Sequence, residues 1–195
     1  MTLEPITVVS GLPRSGTSLA MQMLEAGGFP LLADQQRQPD PSNPRGYFEF
    51  EPVKRLRVDT TWLESARGRA VKIIHLLLMD LPTDGRFTYR VLFIRRPLQE
   101  VLSSQEAMLQ RHGKNAADAD KLGQVYAQQL DQVQQWLTGH HCFTSLDLHY
   151  HDVLAEPRAA AMQIQTFLGF NLNVETMAAA VAPDLCHHQS ETPAA

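Results

Sequence analysis

Ile6-Thr7-Val8-Val9-Ser10-Gly11-Leu12-Pro13-Arg14-Ser15-Gly16-Thr17-Ser18 is the stretch on which the reading of this chain turns. Ile6 to Val9 is a short β-branched apolar run, the pattern of a strand buried on both faces of a parallel sheet. Ser10 to Gly16 continues it as a loop of glycine, proline and serine. Leu19, Met23 and Leu24 then fall at helical spacing until Gly27-Gly28 ends the pattern. Strand, glycine loop and helix, in that order, bring backbone N–H groups and a helix N-terminus together as an anion cradle.

The loop has the Gly-x4-Gly frame of a Walker A motif, with Thr17 where that motif has its lysine. The cation sits inside the loop instead, at Arg14, and Thr17 and Ser18 supply hydroxyl donors. This is a poor arrangement for Mg-nucleotide triphosphate chemistry, which wants lysine on the β- and γ-phosphates. It suits a single phosphate or phosphosulfate group.

Working outward, Val71 to Ile74, Arg90 to Ile94 and Thr144 to Leu148 read as further strands. Helices are expected around Pro52 to Ser65, from Pro97 to about Arg111, from an N-cap at Asp118 to Leu137, and from Pro157 to Leu168, where Gly169 ends the run. Asn173 is a cap for a short last helix. In the glutamine-rich stretch Gln124 to Gln135, Val125, Leu130, Val133 and Leu137 are expected to face inward. Strands alternating with helices imply an α/β, three-layer P-loop fold with a central parallel sheet. With no repeat and no dividing linker, residues 1–195 read as a single domain. Residues 30–50 form a long polar, proline-bearing segment, expected on the acceptor side of the site, and 183–195 an irregular tail.

A second anion site is suggested by Arg95-Arg96-Pro97 at the carboxyl end of a predicted strand, where α/β ligands bind. Ser103 follows eight residues after Arg95, with Ser104 beside it. Less than two helical turns separate Ser103 from the helix start, so Arg95 and Ser103 can grip one phosphate together.

These segments resemble the sulfotransferase family that uses 3′-phosphoadenosine 5′-phosphosulfate (PAPS), in its compact bacterial form. Arg14-Ser15-Gly16-Thr17-Ser18 is similar to the family's 5′-phosphosulfate loop, and Arg95 with Ser103 has the spacing of its 3′-phosphate motif. Tyr150-His151-Asp152, followed by Glu156-Pro157 and Phe167-Leu168-Gly169, resembles the family's Tyr-Glu-Asp segment, whose tyrosine lies by the nucleotide. Asn43-Pro44-Arg45-Gly46-Tyr47-Phe48-Glu49 also matches the compact branch. The resemblance implies sulfuryl transfer from PAPS, as co-substrate and without a metal, to a hydroxyl or amine of a small-molecule or glycan acceptor.

An acceptor that attacks sulfur must lose a proton, so a base is expected. Glu49 and His75 are the two candidates, with Glu49 preferred. His75 resembles the histidine of the family's Lys-x-His segment, but the spacing here is Lys72-x-x-His75. Alternating strand faces separate the two unless the strand ends before His75. Lys72 is the better partner from this segment, placed to steer sulfuryl oxygens. The family's basic Arg-Lys-Gly tail has no counterpart, and Cys186-His187-His188 occupies that region. Two other functions fit parts of the pattern: a non-catalytic PAPS-binding or PAP-binding protein (PAP being the desulfated nucleotide), and a small P-loop kinase.

Composition sets the remaining bounds. The net charge of −4 offers no global basic field for nucleic acid or anionic membrane, so neither is an expected partner. Cys142 and Cys186 lie far apart without ligand spacing, and the histidine pairs lack completing carboxylates, so no metal is expected. Without a long apolar run or an evident leader, the expected location is cytoplasmic. No motif speaks to acceptor identity or oligomeric state.

Overall fold

The computed structural model describes residues 4–34, 46–111, 113 and 118–181. Four strands form one sheet: β1 (Ile6–Gly11), β2 (Ala70–Lys72), β3 (Tyr89–Arg95) and β4 (Phe143–His149). Their order is β2-β1-β3-β4, and every pairing is parallel. The helices are α1 (Thr17–Ala26), α2 (Leu98–Arg111), α3 (Ala119–Gly139), α4 (Tyr150–Ala155), α5 (Pro157–Leu168) and α6 (Val174–Ala179). The fold is α/β around a central parallel sheet.

Strand alternation explains the layers. Val9, Leu92, Ile94 and Leu148 point to one face, where they pack with Leu19, Met23 and Leu24 of α1, Val153 of α4, Ala161 and Ile164 of α5 and Met177 of α6. Ile6, Val8, Val71, Tyr89, Val91, Phe93 and Phe143 point to the other face, against Val133 and Leu137 of α3 and the segment from Val53 to Leu81. At about 25 cal/mol per Å² of apolar area buried, two such faces supply most of the drive to fold.

Local chemistry sets the helix ends. The Asp118 carboxylate accepts from the N–H groups of Asp120 and Lys121, and the Asn173 side chain accepts from Thr176 N–H. Pro157 opens α5, Gly169 closes it, and the Arg90 guanidinium donates to the Leu168 carbonyl at that C-terminus.

Three details differ from the sequence reading. Pro52 to Ser65 is two short 3₁₀ helices, Glu51–Arg55 and Thr61–Ala66, because Asp59 accepts from both the N–H and the hydroxyl of Thr61 and breaks a continuous helix between them. β2 ends at Lys72, and His75–Asp80 forms a third 3₁₀ turn. On α3, Tyr126 faces inward with Val133 and Leu137, while Val125 is exposed. Tyr126 lies seven residues before Val133, a spacing that keeps both on one helical stripe. The proposed tail 183–195 and Asn43 to Arg45 lie outside the described residues.

Topology fixes where a ligand can enter. The chain leaves β1 toward β2 on one side, and β3 leads to β4 on the other, so the strand order reverses between β1 and β3. In such sheets the crevice at the carboxyl ends of those two strands is the binding place. Gly11 pairs with Ile94 there, and Arg95 with His149.

Candidate functional site

The loop after β1 is held in shape by close packing. Gly16 precedes α1 with φ 107°, and a Cβ on it would lie 2.5 Å from Cδ2 of Tyr150. Only glycine allows both this backbone and this contact. Arg14 adopts φ 69° without being glycine, a conformation that costs free energy and persists only where its surroundings enforce it. Its Nε donates to Oγ of Ser104 on α2 at 3.1 Å, and its carbonyl accepts from Nη1 of Arg96 at 3.2 Å. No side chain among the described residues caps the N-terminus of α1. Ser15 Oγ, with Ser15 itself only 1% exposed, likewise finds no partner among them. Thr17 is buried and Ser18 half-buried in the first turn.

Lys72 brings a second cation to this turn from a neighbouring strand. It pairs in register with Val9, so its side chain rises on the α1 face. Its Nζ donates to Ser18 Oγ at 3.1 Å and to the Tyr47 carbonyl at 3.0 Å. The lysine that the loop lacks therefore arrives from β2. One ammonium, through these two bonds, ties α1 to the Tyr47-Phe48-Glu49 segment.

Glu49 lies half-buried two residues beyond that carbonyl. Its own carbonyl accepts from Asp34 N–H, and the Asp34 carboxylate accepts from Glu51 N–H at 2.6 Å. These bonds hold Asp34 against residues 49–51. The hydrogen bond that its ammonium donates to Glu51 chiefly, with the charges of Glu51, Glu49 and Asp34, holds the Lys54 pKa above its ordinary value.

His75 meets the condition set by the spacing, since the strand ends before it, yet the ring turns into the interior. It is 2% exposed, with Nε2 2.9 Å from Gln129 Oε1 and its ring edge-on to Tyr126. Burial holds its imidazole below the ordinary histidine range, against the opposing hydrogen bond to Gln129.

Arg95 and Ser103 have separate partners. Arg95 turns to the α3 face, where it stacks over Phe93 at 4.4 Å, donates to Gln134 and pairs with Asp147 at 3.1 Å. Ser103 is exposed and donates to the Gln99 carbonyl one turn back. Ser104, buried at 5%, faces the loop instead. Val101 and Ser104 share the inward stripe of α2, and that i, i+3 spacing was the available sequence signal for Ser104. Tyr150 is buried at the start of α4 beneath the Arg96 guanidinium, 4.4 Å from its ring centre. Among the described residues no three metal-ligating side chains cluster, and no helix is long and apolar enough to cross a membrane.

Known structures share this architecture. A sulfotransferase domain from the curacin biosynthetic pathway covers 96% of this chain and 87% of its own, with TM-score 0.57 and 16% identity. A sulfotransferase from Alicyclobacillus acidocaldarius covers 93% and 88%, with TM-score 0.51 and 14% identity. The likeness is one of fold. A sugar kinase from Janibacter sp. aligns at TM-score 0.46 and 11% identity. No family model matches the chain, and no curated protein does.

Proposed function

We propose that this protein is a sulfotransferase that moves a sulfuryl group from PAPS to a hydroxyl or amine of a small-molecule or glycan acceptor. The observation that carries the reading is the meeting of Lys72 with Ser18 at the first turn of α1, with Arg14 in the adjoining loop. Two cations, with a helix N-terminus and a Ser15 hydroxyl that both lack side-chain partners among the described residues, suit a phosphosulfate. The fold shared with two sulfotransferases supports the same reading.

PAPS supplies an activated sulfuryl group on a phosphate leaving group. Arg14, Lys72 and the N–H groups of residues 15–18 would hold that phosphosulfate and stabilise charge that develops on the leaving phosphate. Ser15, Gly16, Thr17 and Ser18 form the cradle. Arg95 and Ser103 would bind the 3′-phosphate, which requires Arg95 to exchange Gln134 or Asp147 for it. Tyr150 would border the nucleotide on whatever part of its ring Arg96 leaves open. We favour Glu49 as the base over His75, because Glu49 is half-exposed two residues beyond the carbonyl that anchors Lys72, whereas the His75 ring is turned inward against Gln129, away from any acceptor.

Titration of the purified protein with PAP, against ATP plus Mg, tests this reading. A ligand that binds only the native state stabilises it by about 2.7 kcal/mol at a hundred times its Kd. Stabilisation by PAP alone is expected. A response only to ATP plus Mg would point to a kinase and end the sulfotransferase reading. PAP binding without transfer to any of a broad acceptor set would leave a nucleotide-binding protein.

A further inference from the structure

Arg95-Arg96-Pro97 carries two arginines, and the proposed nucleotide site uses only the first. Arg95 turns with Phe93 toward α3, whereas Arg96 turns to the α1 face. There one guanidinium makes three contacts at once. Nε meets Glu100 Oε2 at 2.9 Å, Nη1 donates to the Arg14 carbonyl at 3.2 Å, and Cζ lies 4.4 Å over the Tyr150 ring. The second oxygen of Glu100 meets Nε2 of His151 at 2.8 Å. The Arg96 and Glu100 side chains are only 8% and 12% exposed, so this pair is fixed in a way that surface ion pairs are not.

These contacts converge on the two strained or crowded points of the loop. Arg14 sits at φ 69°, and its peptide must face outward if its carbonyl is not to repel an anion in the cradle. The bond from Arg96 draws that carbonyl away. Tyr150 lies against Gly16, and stacking by Arg96 holds the ring there. A planar fork can serve a carboxylate, a carbonyl and a ring together; an ammonium cannot.

We propose that Arg96 is a positioning residue, which holds the Arg14 peptide and the Tyr150 ring so that the anion cradle is formed before its ligand arrives. Glu100, steadied by His151, fixes its orientation. The inference rests on the proposed function only for the nature of the anion.

The test compares wild type with Arg96→Gln, Arg96→Lys and Glu100→Gln in two measurements. One is PAP affinity by calorimetry; the other is amide hydrogen exchange over residues 11–18 and along β3 in the ligand-free protein. Arg96→Gln is expected to weaken PAP binding about tenfold or more and to speed exchange in the loop while β3 keeps its protection. Arg96→Lys restores the charge without the fork and should recover only a minor part of the affinity. Glu100→Gln, which keeps size and shape, should shift both readouts the same way by less, and it carries the test if Arg96→Gln fails to fold. Full rescue by lysine would make Arg96 a mere charge and overturn the inference. Unchanged loop exchange in both Arg96→Gln and Glu100→Gln would overturn it as well. If wild type does not bind PAP, the proposed function falls, and the ligand-free exchange data still decide whether Arg96 holds the loop.

Discussion

Around Gly16 the chain is packed to contact, while around Arg95 and Ser103 it is held by replaceable polar bonds. The loop side has a glycine against a tyrosine ring, an arginine held at positive φ, and a largely covered ion pair behind both. On the other side, Ser103 bonds to its own helix and Arg95 rests on Gln134 and Asp147, with the Arg95 and Asp147 side chains 24% and 42% exposed. The lesson is one of preorganisation. A cradle that is rigid before binding spends little of the ligand's interaction energy on ordering. The Arg95 side would be assembled by exchange of partners, so its contribution to affinity is a difference between two sets of bonds.

The comparison can be broken first at Arg14. Arg14→Ala should retain the fold and lower sulfuryl transfer by about 10² to 10³, the usual cost of removing one preorganised donor from a developing charge. Turnover assays at saturating PAPS, with circular dichroism as the fold control, read this directly. Undiminished turnover would remove Arg14 from the chemistry. Next in size is Gly16→Ala, which places a Cβ 2.5 Å from Tyr150 at φ 107° and should cost about 2–4 kcal/mol of stability in denaturant titrations. A loss under about 0.5 kcal/mol would mean that Tyr150 yields easily and that the loop is not rigid.

Smaller effects sharpen the contrast on the other side. Arg95→Ala should weaken PAP binding by about 1.5–3 kcal/mol, the range for hydrogen bonds to a charged group, with little change in folding. Asp147→Asn removes a competing carboxylate and should strengthen binding by no more than about 1 kcal/mol. Equal affinity across these proteins would separate Arg95 from the nucleotide. The smallest effect concerns pH. Burial depresses the His75 pKa in the folded state, so below about pH 6.5 the unfolded chain takes up a proton that the native ring refuses. Stability should therefore fall as pH drops through 6.5, level off below the folded pKa, and lose this component in His75→Gln. Parallel pH–stability curves for the two proteins would show that His75 titrates normally.

What was legible in the sequence was local. Asp118 and Asn173 announced their helices because a cap bonds to N–H groups two or three residues away, and Pro157 with Gly169 bounded α5 for similarly local reasons. The strand–loop–helix order, and with it the parallel sheet, followed from short buried runs. The partner of Lys72 was not legible, since it depends on the register that sets Lys72 beside Val9. Arg96 was hidden for the same reason: Arg14 precedes it by 82 residues, and Tyr150 follows it from another strand end. Ser103 and Ser104 were readable as a pair, but only helical phase separates the serine that faces water from the one that meets Arg14. His75 looked like a strand-end residue because no motif marks the turn that carries it inward.

The delivery of a lysine from β2 to the first turn of α1 has a consequence for how the chain matures. Ser18 and Lys72 are 54 residues apart, and no local hairpin brings them together, because every strand pairing is parallel. Non-local pairings of this kind form late, after the entropy of long loop closure has been met. A collapsed intermediate with β1 and α1 in place but β2 undocked would own a glycine loop without its second cation. On the proposed function the site would then act as a checkpoint on assembly: an anionic ligand would bind the finished sheet more tightly than compact forms that lack one strand.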